Sequence, residues 1–296
     1  MSLQLLFKAP CIEMDSLENL WFQLSNNACN LKCKHCFLSC GPKFTPKSFL
    51  HIDKVKATLD STKKDPIKAI YLTGGEPLLH PEINNILRLC LKRANTTILT
   101  NGTMLNDKKV RFLRQLEDNY NFEIIFRVSL DHPDEIINDR IRTRGHFRKA
   151  ISGIQNLLKY EFNPIISIVN YDNQDETELK KGFKELFNSI GFETEDLNYK
   201  IIPPIKMGEY ALNFGKYKEH EFIDSSSLKD VDENNFDCKT SRVITNDGVY
   251  SCPALATDSR GKIGSTIQDY SKKVFLEANA CYTCKNLNAK LFNNNW

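Results

Sequence analysis

Two kinds of apolar patterning alternate along about the first two thirds of the chain: short unbroken apolar runs, and longer stretches with an apolar face at helical spacing. The unbroken runs, at residues 21–24, 67–72, 96–99, 122–130, 164–170 and 197–202, have the length of strands buried on both faces of a parallel sheet. Between them, residues 52–61, 82–93, 107–116, 147–160 and 176–187 carry helical periodicity. Ile83, Leu87 and Leu91 share a face of the second helix, and Ile151, Ile154 and Leu158 share a face of the fourth. Such a βα series closes into a full or partial barrel or lies open as a doubly wound sheet. Either way the functional site falls at the carboxyl ends of the strands. From 206 to 237 the pattern changes: Gly208, Gly215, three serines from Ser225 and an acidic run at 230–233 read as a linker or mobile cover. Residues 1–20 read as an extension and 238–296 as a second, small unit. The asparagines at 293–295 read as a frayed end.

Composition adds bounds. With 296 residues, 41% hydrophobic and 26% charged, the chain has material for about two folded domains and no signature of disorder. The apolar run around 124–126 falls far short of the roughly 18 residues that a membrane helix needs. The first ten residues lack the apolar stretch of a signal peptide, so a cytoplasmic location is expected. Forty Lys+Arg against 37 Asp+Glu leave +3 without a basic block, which argues against nucleic acid as a partner. Ten cysteines in a reducing compartment point to metal or redox chemistry before disulfides.

Seven of those cysteines form two sets, Cys29, Cys33 and Cys36, then Cys238, Cys252, Cys281 and Cys284. The first set follows the first predicted strand, so three thiols share one loop. A [4Fe–4S] cluster normally takes four thiolates, and three would leave one iron open. A structural zinc ion takes four protein ligands, and Cys40 is placed to be the fourth. Spacing alone leaves both readings open. The run at 67–72 ends in Thr73-Gly74-Gly75-Glu76-Pro77, where two glycines let a ligand approach the backbone beside a carboxylate. Cys90 falls on an apolar helix face and reads as a core thiol, while Cys11 is uninformative.

Cys29-Asn-Leu-Lys-Cys33-Lys-His-Cys36, Gly74-Gly75-Glu76-Pro77, Thr100-Asn101-Gly102, Val128-Ser129-Leu130-Asp131, and Asn138-Asp-Arg140-Ile-Arg142 leading to Gly145-His-Phe147 together resemble the radical S-adenosylmethionine (SAM) superfamily, over about residues 21–202. The resemblance implies an α/β fold, a partial (βα)6 barrel over residues 21–205. It implies a [4Fe–4S] cluster on Cys29, Cys33 and Cys36 whose open iron is chelated by SAM. It also implies that the Gly74–Glu76 turn receives the methionyl amine, that His35 touches the adenine and that Ser129 meets the ribose. Arg142, with Arg140 as competitor, would meet a carboxylate, and Asn101 would line the site. Arg140, Arg142 and Arg144 read alternatively as a solvated helix start. His132 departs from the family, where glycine often follows Ser-Leu-Asp. One-electron reduction of SAM to a 5′-deoxyadenosyl radical, then hydrogen-atom abstraction from substrate, is the implied chemistry, with a flavodoxin or ferredoxin-type electron donor.

The second cysteine set flanks an Asp-Gly turn and closes with Cys281-Tyr-Thr-Cys284. Alone it reads as a zinc ribbon. Beside the first half it resembles the shortened auxiliary-cluster module called twitch, related to the longer SPASM module: a β-hairpin plus helix holding one auxiliary [4Fe–4S] cluster on Cys238, Cys252, Cys281 and Cys284. Such a cluster supports net oxidation or bond formation on a small molecule or a peptide. Only about twenty residues precede the first strand, too few for the peptide-recognition domain of many relatives, which tilts the expectation toward a small substrate or a short peptide. A peptide epimerase or maturase is an alternative. A GTP-acting relative in molybdenum cofactor synthesis is disfavoured, because its close cysteine pair comes first and its chain ends Gly-Gly. A non-enzymatic zinc or electron-transfer protein is the reading from a different class.

Overall fold

The computed structural model describes residues 9–192, 198–229, 231–287 and 289–294. The first strand β1 (Cys11–Ile12) precedes β2 (Asn19–Ser25), after which come α1 (Ile52–Ser61), β3 (Ala69–Gly74), α2 (Ile83–Cys90), β4 (Asn95–Thr100), α3 (Asp107–Glu117) and β5 (Ile124–Ser129). Two helices, α4 (Glu135–Ile141) and α5 (His146–Lys159), lead to β6 (Ile165–Val169), α6 (Glu176–Ser189) and β7 (Asn198–Ile202). The remainder holds α7 (Gly208–Phe214), β8 (Ser241–Thr245), β9 (Gly248–Tyr250), β10 (Lys262–Gly264), β11 (Val274–Phe275) and α8 (Ala280–Asn286). Each expected strand and helix is present with its ends shifted by a few residues; of the strand expected at 197–202, residue 197 lies outside the described residues.

β2 to β7 pair in parallel and in chain order, so the βα series forms a partial barrel with its helices outside. Strand periodicity divides two cores. Leu20, Phe22 and Leu24 of β2, Ile70 and Leu72 of β3, and Phe126 and Val128 of β5 face the helices. The intervening Trp21 and Tyr71 face the lumen, in a core that includes Cys238, Cys281 and Cys284. Their rings stack with centroids 4.1 Å apart, worth about 0.5–1.5 kcal/mol beyond the area they bury. Helix starts are capped as their sequences dictate: Asn106 accepts from Lys109 N, Asp134 from Ile137 N, and Asp175 from Thr177 and Glu178 N.

Three departures from expectation concern the second half. The expected hairpin is β8–β9, but β8 also pairs in parallel with β2, so that one nine-stranded sheet runs β10-β9-β8-β2-β3-β4-β5-β6-β7. The 206–237 segment contains α7 and is seated on the cysteine loop, with Glu209 N donating to the Cys36 carbonyl at 2.9 Å; residue 230 of its acidic run lies outside the described residues. The frayed end is corrected for 293 and 294. Asn293 is buried, accepting from Trp21 Nε1 at 3.1 Å, and the Asp237 carboxylate accepts from the backbone N–H of Phe292 and Asn293 at 2.9 and 3.0 Å. Asn294 N donates to the Tyr71 hydroxyl at 3.0 Å, and Arg127 Nη1 donates to the Phe292 carbonyl at 2.5 Å. An asparagine run is polar, but the lumen offers it partners, and a satisfied polar segment packs there without penalty.

Candidate functional site

The cysteine loop leaves β2 at its carboxyl end and folds beside the end of β3. Gly74 has φ of 140°, a left-handed backbone that side chains resist, and a Cβ there would lie 2.5 Å from Ser25 Oγ. A Cβ on Gly75 would collide with the Ala28 carbonyl and come within 2.9 Å of Cys29 Cβ. Both glycines are therefore required by the approach of the turn to the cysteine loop. Gly75 N and Glu76 N then donate to the Ser25 and Ala28 carbonyls at 3.0 and 2.9 Å.

A cavity of about 180 Å³ opens at this junction. Cys29, Cys33, Cys36 and Cys40 line it together with His35, Gly74, Gly75, Asn101, Ser129 and Arg142, while Trp21, Arg127 and Phe292 lie among its other walls. The sulfurs have donors already in place: Leu31 N lies 3.4 Å from Cys29 Sγ, Cys40 N 3.4 Å from Cys36 Sγ, and Asn101 Nδ2 3.8 Å from Cys29 Sγ. Burial pushes the free Cys29 and Cys33 thiols up to about 11 and 12. Cys36 instead falls to about 6, through hydrogen bonding from Cys40. Cys40 is thus a fourth thiol at the cavity. A donor set of three thiols on one loop, glycines that admit close approach and a cavity whose apolar walls carry a few polar groups fit an iron–sulfur cluster with SAM beside it.

Glu76 departs from the other candidates. Its carboxylate is fully buried and accepts from Leu78 N at 3.0 Å, Thr100 Oγ1 at 2.8 Å and Asn101 N at 2.8 Å. It ties the β3 turn to the β4 turn, and burial raises it to about 7 despite three donors. Arg142, like His35, is bound to Asp131; Arg140 and Arg144 are exposed.

Behind the cavity runs a buried polar chain whose residues were quoted in the motifs without a role. Asn138 Oδ1 accepts from Asp131 N at 3.1 Å, and Asn138 Nδ2 lies 2.9 Å from His146 Nδ1. His146 Nε2 lies 3.0 Å from the Asn101 carbonyl. A carbonyl only accepts, so Nε2 carries the proton, Nδ1 accepts and the imidazole is neutral. Burial, then the neighbouring Arg142, lowers His146 to about 4. The unfolded chain therefore binds this proton first as pH falls, and His146 costs stability progressively from about pH 6.5 down to 4, up to about 3 kcal/mol. Glu76, raised, acts with opposite sign in an overlapping window. The expected result is that the denaturation midpoint difference between the protein and His146→Gln shrinks as pH drops from 7 to 5. A pH-independent difference would disprove the neutral assignment.

The second cysteine set also converges. Cys238, Cys252, Cys281 and Cys284 line one small cavity of about 20 Å³, walled by Phe236, Leu255, Val274 and Leu276. Cys281 and Cys284 face it from α8, one helical turn apart. Burial pushes Cys252 and Cys281 up to about 11 and 12 and holds Cys238 and Cys284 well above the ordinary thiol range. Among the described residues no three His, Cys, Asp or Glu side chains are drawn together as a single metal ion requires. Among them, too, no helix is long and apolar enough to cross a membrane.

A parallel partial barrel with three thiols at its mouth defines a class, and comparison with known proteins agrees. The family model of the radical SAM superfamily matches residues 24–186, more than half of the chain, and the chain belongs to that superfamily. It is 33% identical over 207 residues to the antilisterial bacteriocin subtilosin biosynthesis protein AlbA of Bacillus subtilis (strain 168), covering 67% of this chain and 45% of AlbA. It is 29% identical over 210 residues to GTP 3′,8-cyclase of Petrotoga mobilis, covering 69% and 59%. The chain thus spans about half the length of the curated relatives it matches. Among solved structures, Streptococcus suis SuiB bound to precursor peptide SuiA superposes with a TM-score of 0.63 at 14% identity, covering 93% of this chain and 66% of that one. Native anSMEcpe with bound AdoMet gives 0.62 at 15%, covering 90% and 82%. At these identities the likeness concerns the fold.

Proposed function

We propose that the protein is a peptide-modifying radical SAM enzyme with one auxiliary [4Fe–4S] cluster. The carrying observation is that two thiol-lined cavities, one with three candidate ligands and one with four, lie in one body joined by a continuous sheet. On this reading Cys29, Cys33 and Cys36 hold the SAM-binding cluster, and Cys238, Cys252, Cys281 and Cys284 hold the auxiliary one. Bound there, the cluster and SAM supply a 5′-deoxyadenosyl radical that abstracts a substrate hydrogen atom. The chain's own contribution is to aim and to exclude water. Leu99, Val169, Ile202 and Phe292 give the first cavity apolar walls, and Ser129 and Asn101 present hydrogen-bonding groups to a nucleoside. The four-thiol cavity has complete thiolate ligation available, which suits electron transfer.

A larger groove of about 610 Å³ supports a peptide as substrate. Tyr171, Tyr210, Phe214, Tyr217 and Tyr282 line it, from the end of β6 across α7 to α8, and Ile202 lines both groove and cavity. An aromatic groove that shares a wall with the thiol-lined cavity suits an extended chain with one residue inserted. AlbA and SuiB, by name a bacteriocin biosynthesis protein and a protein bound to its precursor peptide, support the same reading.

Anaerobic reconstitution tests it. About eight irons per chain and reductant-dependent 5′-deoxyadenosine are expected. Bound zinc and no nucleoside product would sink the reading. Nucleoside formation accelerated by GTP and by no peptide would move it to nucleotide chemistry.

A further inference from the structure

Asp131 is the most heavily engaged carboxylate at the site. It follows β5 and is 2% exposed. His35 Nε2 donates to its Oδ2 at 2.6 Å. Arg142 Nε lies 2.6 Å from Oδ2, and Arg142 Nη2 donates to Oδ1 at 2.8 Å. Val169 N adds a bond to Oδ1 at 3.0 Å. One carboxylate therefore ties together the cysteine loop, the end of α4 and the end of β6. Its burial opposes ionisation, but Arg142 and His35 overcome that and hold its carboxyl far below the usual carboxylate range.

Asp131 does not line the thiol cavity, whereas His35 and Arg142 do. Arg142 meets Asp131 through an Nη2 hydrogen bond and an Nε ion-pair contact whose N–H is not aligned to donate, and no hydrogen bond among the described residues occupies Nη1. A guanidinium gripped along one edge has its rotamer fixed beforehand and still offers a donor to a second anion. A hydrogen-bonded imidazole likewise has its ring plane fixed, which suits stacking or edge contact with a flat base.

We propose that Asp131 is a positioning residue for SAM: it presets Arg142 so that the cavity receives the methionyl carboxylate without rearranging. This rests on the reading of the cavity as the SAM site. Because Asp131 acts through Arg142, its contribution and that of Arg142 must be non-additive.

The test is SAM affinity, by equilibrium dialysis on reconstituted protein, in a cycle of Asp131→Asn, Arg142→Gln and the double variant. Asp131→Asn is expected to weaken SAM by about tenfold or more with iron content unchanged. At saturating SAM it should still show the SAM-induced change in the reduced cluster's electron paramagnetic resonance spectrum. The double variant should bind about as Arg142→Gln does. Wild-type affinity in Asp131→Asn, or losses that multiply in the double variant, would overturn the proposal. Should Asp131→Asn fail to fold, because it leaves Arg142 as an uncompensated buried charge, the double variant against Arg142→Gln decides alone. Equal affinities support the clamp, and a further loss of about tenfold overturns it. Absence of SAM binding by the unmutated protein would instead reject the assignment of the cavity.

Discussion

Replacing Cys33 with alanine is expected to abolish reductant-dependent 5′-deoxyadenosine formation. Cys33 lies in the middle of the three-thiol loop and lines the first cavity, with Arg142 close enough to favour its thiolate against the cost of burial. With it removed, the loop retains two of three ligands, and Cys40 is the only other thiol on that cavity's walls. Cys40 is already engaged, its backbone N–H on the Cys36 sulfur at 3.4 Å and its thiol on the Asn26 carbonyl at 3.7 Å, and taking the place of Cys33 would unmake these contacts. Product quantified after dithionite reduction should fall to background, while the four irons of the second site, about half the total, remain. Nucleoside formation at more than about a tenth of the wild-type rate would show that the loop does not hold the reacting cluster.

Replacing Cys281 with alanine has the complementary result. About four irons remain, 5′-deoxyadenosine forms in the absence of substrate, and substrate turnover stops. Cys281 faces a cavity walled by apolar side chains and is not among the residues that line the first cavity. Its loss removes one of four ligands, and three thiols pushed up by burial are poor ligands without the fourth. Iron analysis, nucleoside yield and substrate conversion are measured on one preparation. If this variant and Cys33→Ala behave alike, the division of labour between the two sites is wrong. If the lost metal is zinc, the second site is a structural ribbon.

Most of the barrel was legible because its strands are buried on both faces, so apolar runs of strand length mark them without ambiguity. Helix α1 matches its expected bounds, and α6 begins where its Asp175 cap requires. The cavity was legible because motif residues scattered from 29 to 142 fall at the carboxyl ends of successive parallel strands. What escaped had no local signature. The parallel pairing of β8 with β2 joins residues more than two hundred positions apart, as in Asn19 with Ser241. Helix α4 is seven residues long and polar, so its periodicity is too brief to register. The resemblance gives the Gly74–Glu76 turn the methionyl amine, and what no sequence pattern shows is that the Glu76 carboxylate also accepts from Leu78 N, Thr100 Oγ1 and Asn101 N. Arg127 carried a signal that went unused: a lone cation within the apolar strand Ile124–Ser129 needs a buried partner, and the Phe292 carbonyl supplies one.

The tail within the lumen also bears on how the chain acquires its shape. Trp21 and Asn293 are bonded across 272 positions, and β2 awaits its second parallel neighbour until β8, more than two hundred residues later, has emerged from the ribosome. Until those residues are made, β2 keeps an open edge and the lumen is unfilled, which makes its closure a high-contact-order event. Both thiol cavities are completed by that same closure, since Phe292 walls one and Asp237, which binds the tail, walls the other.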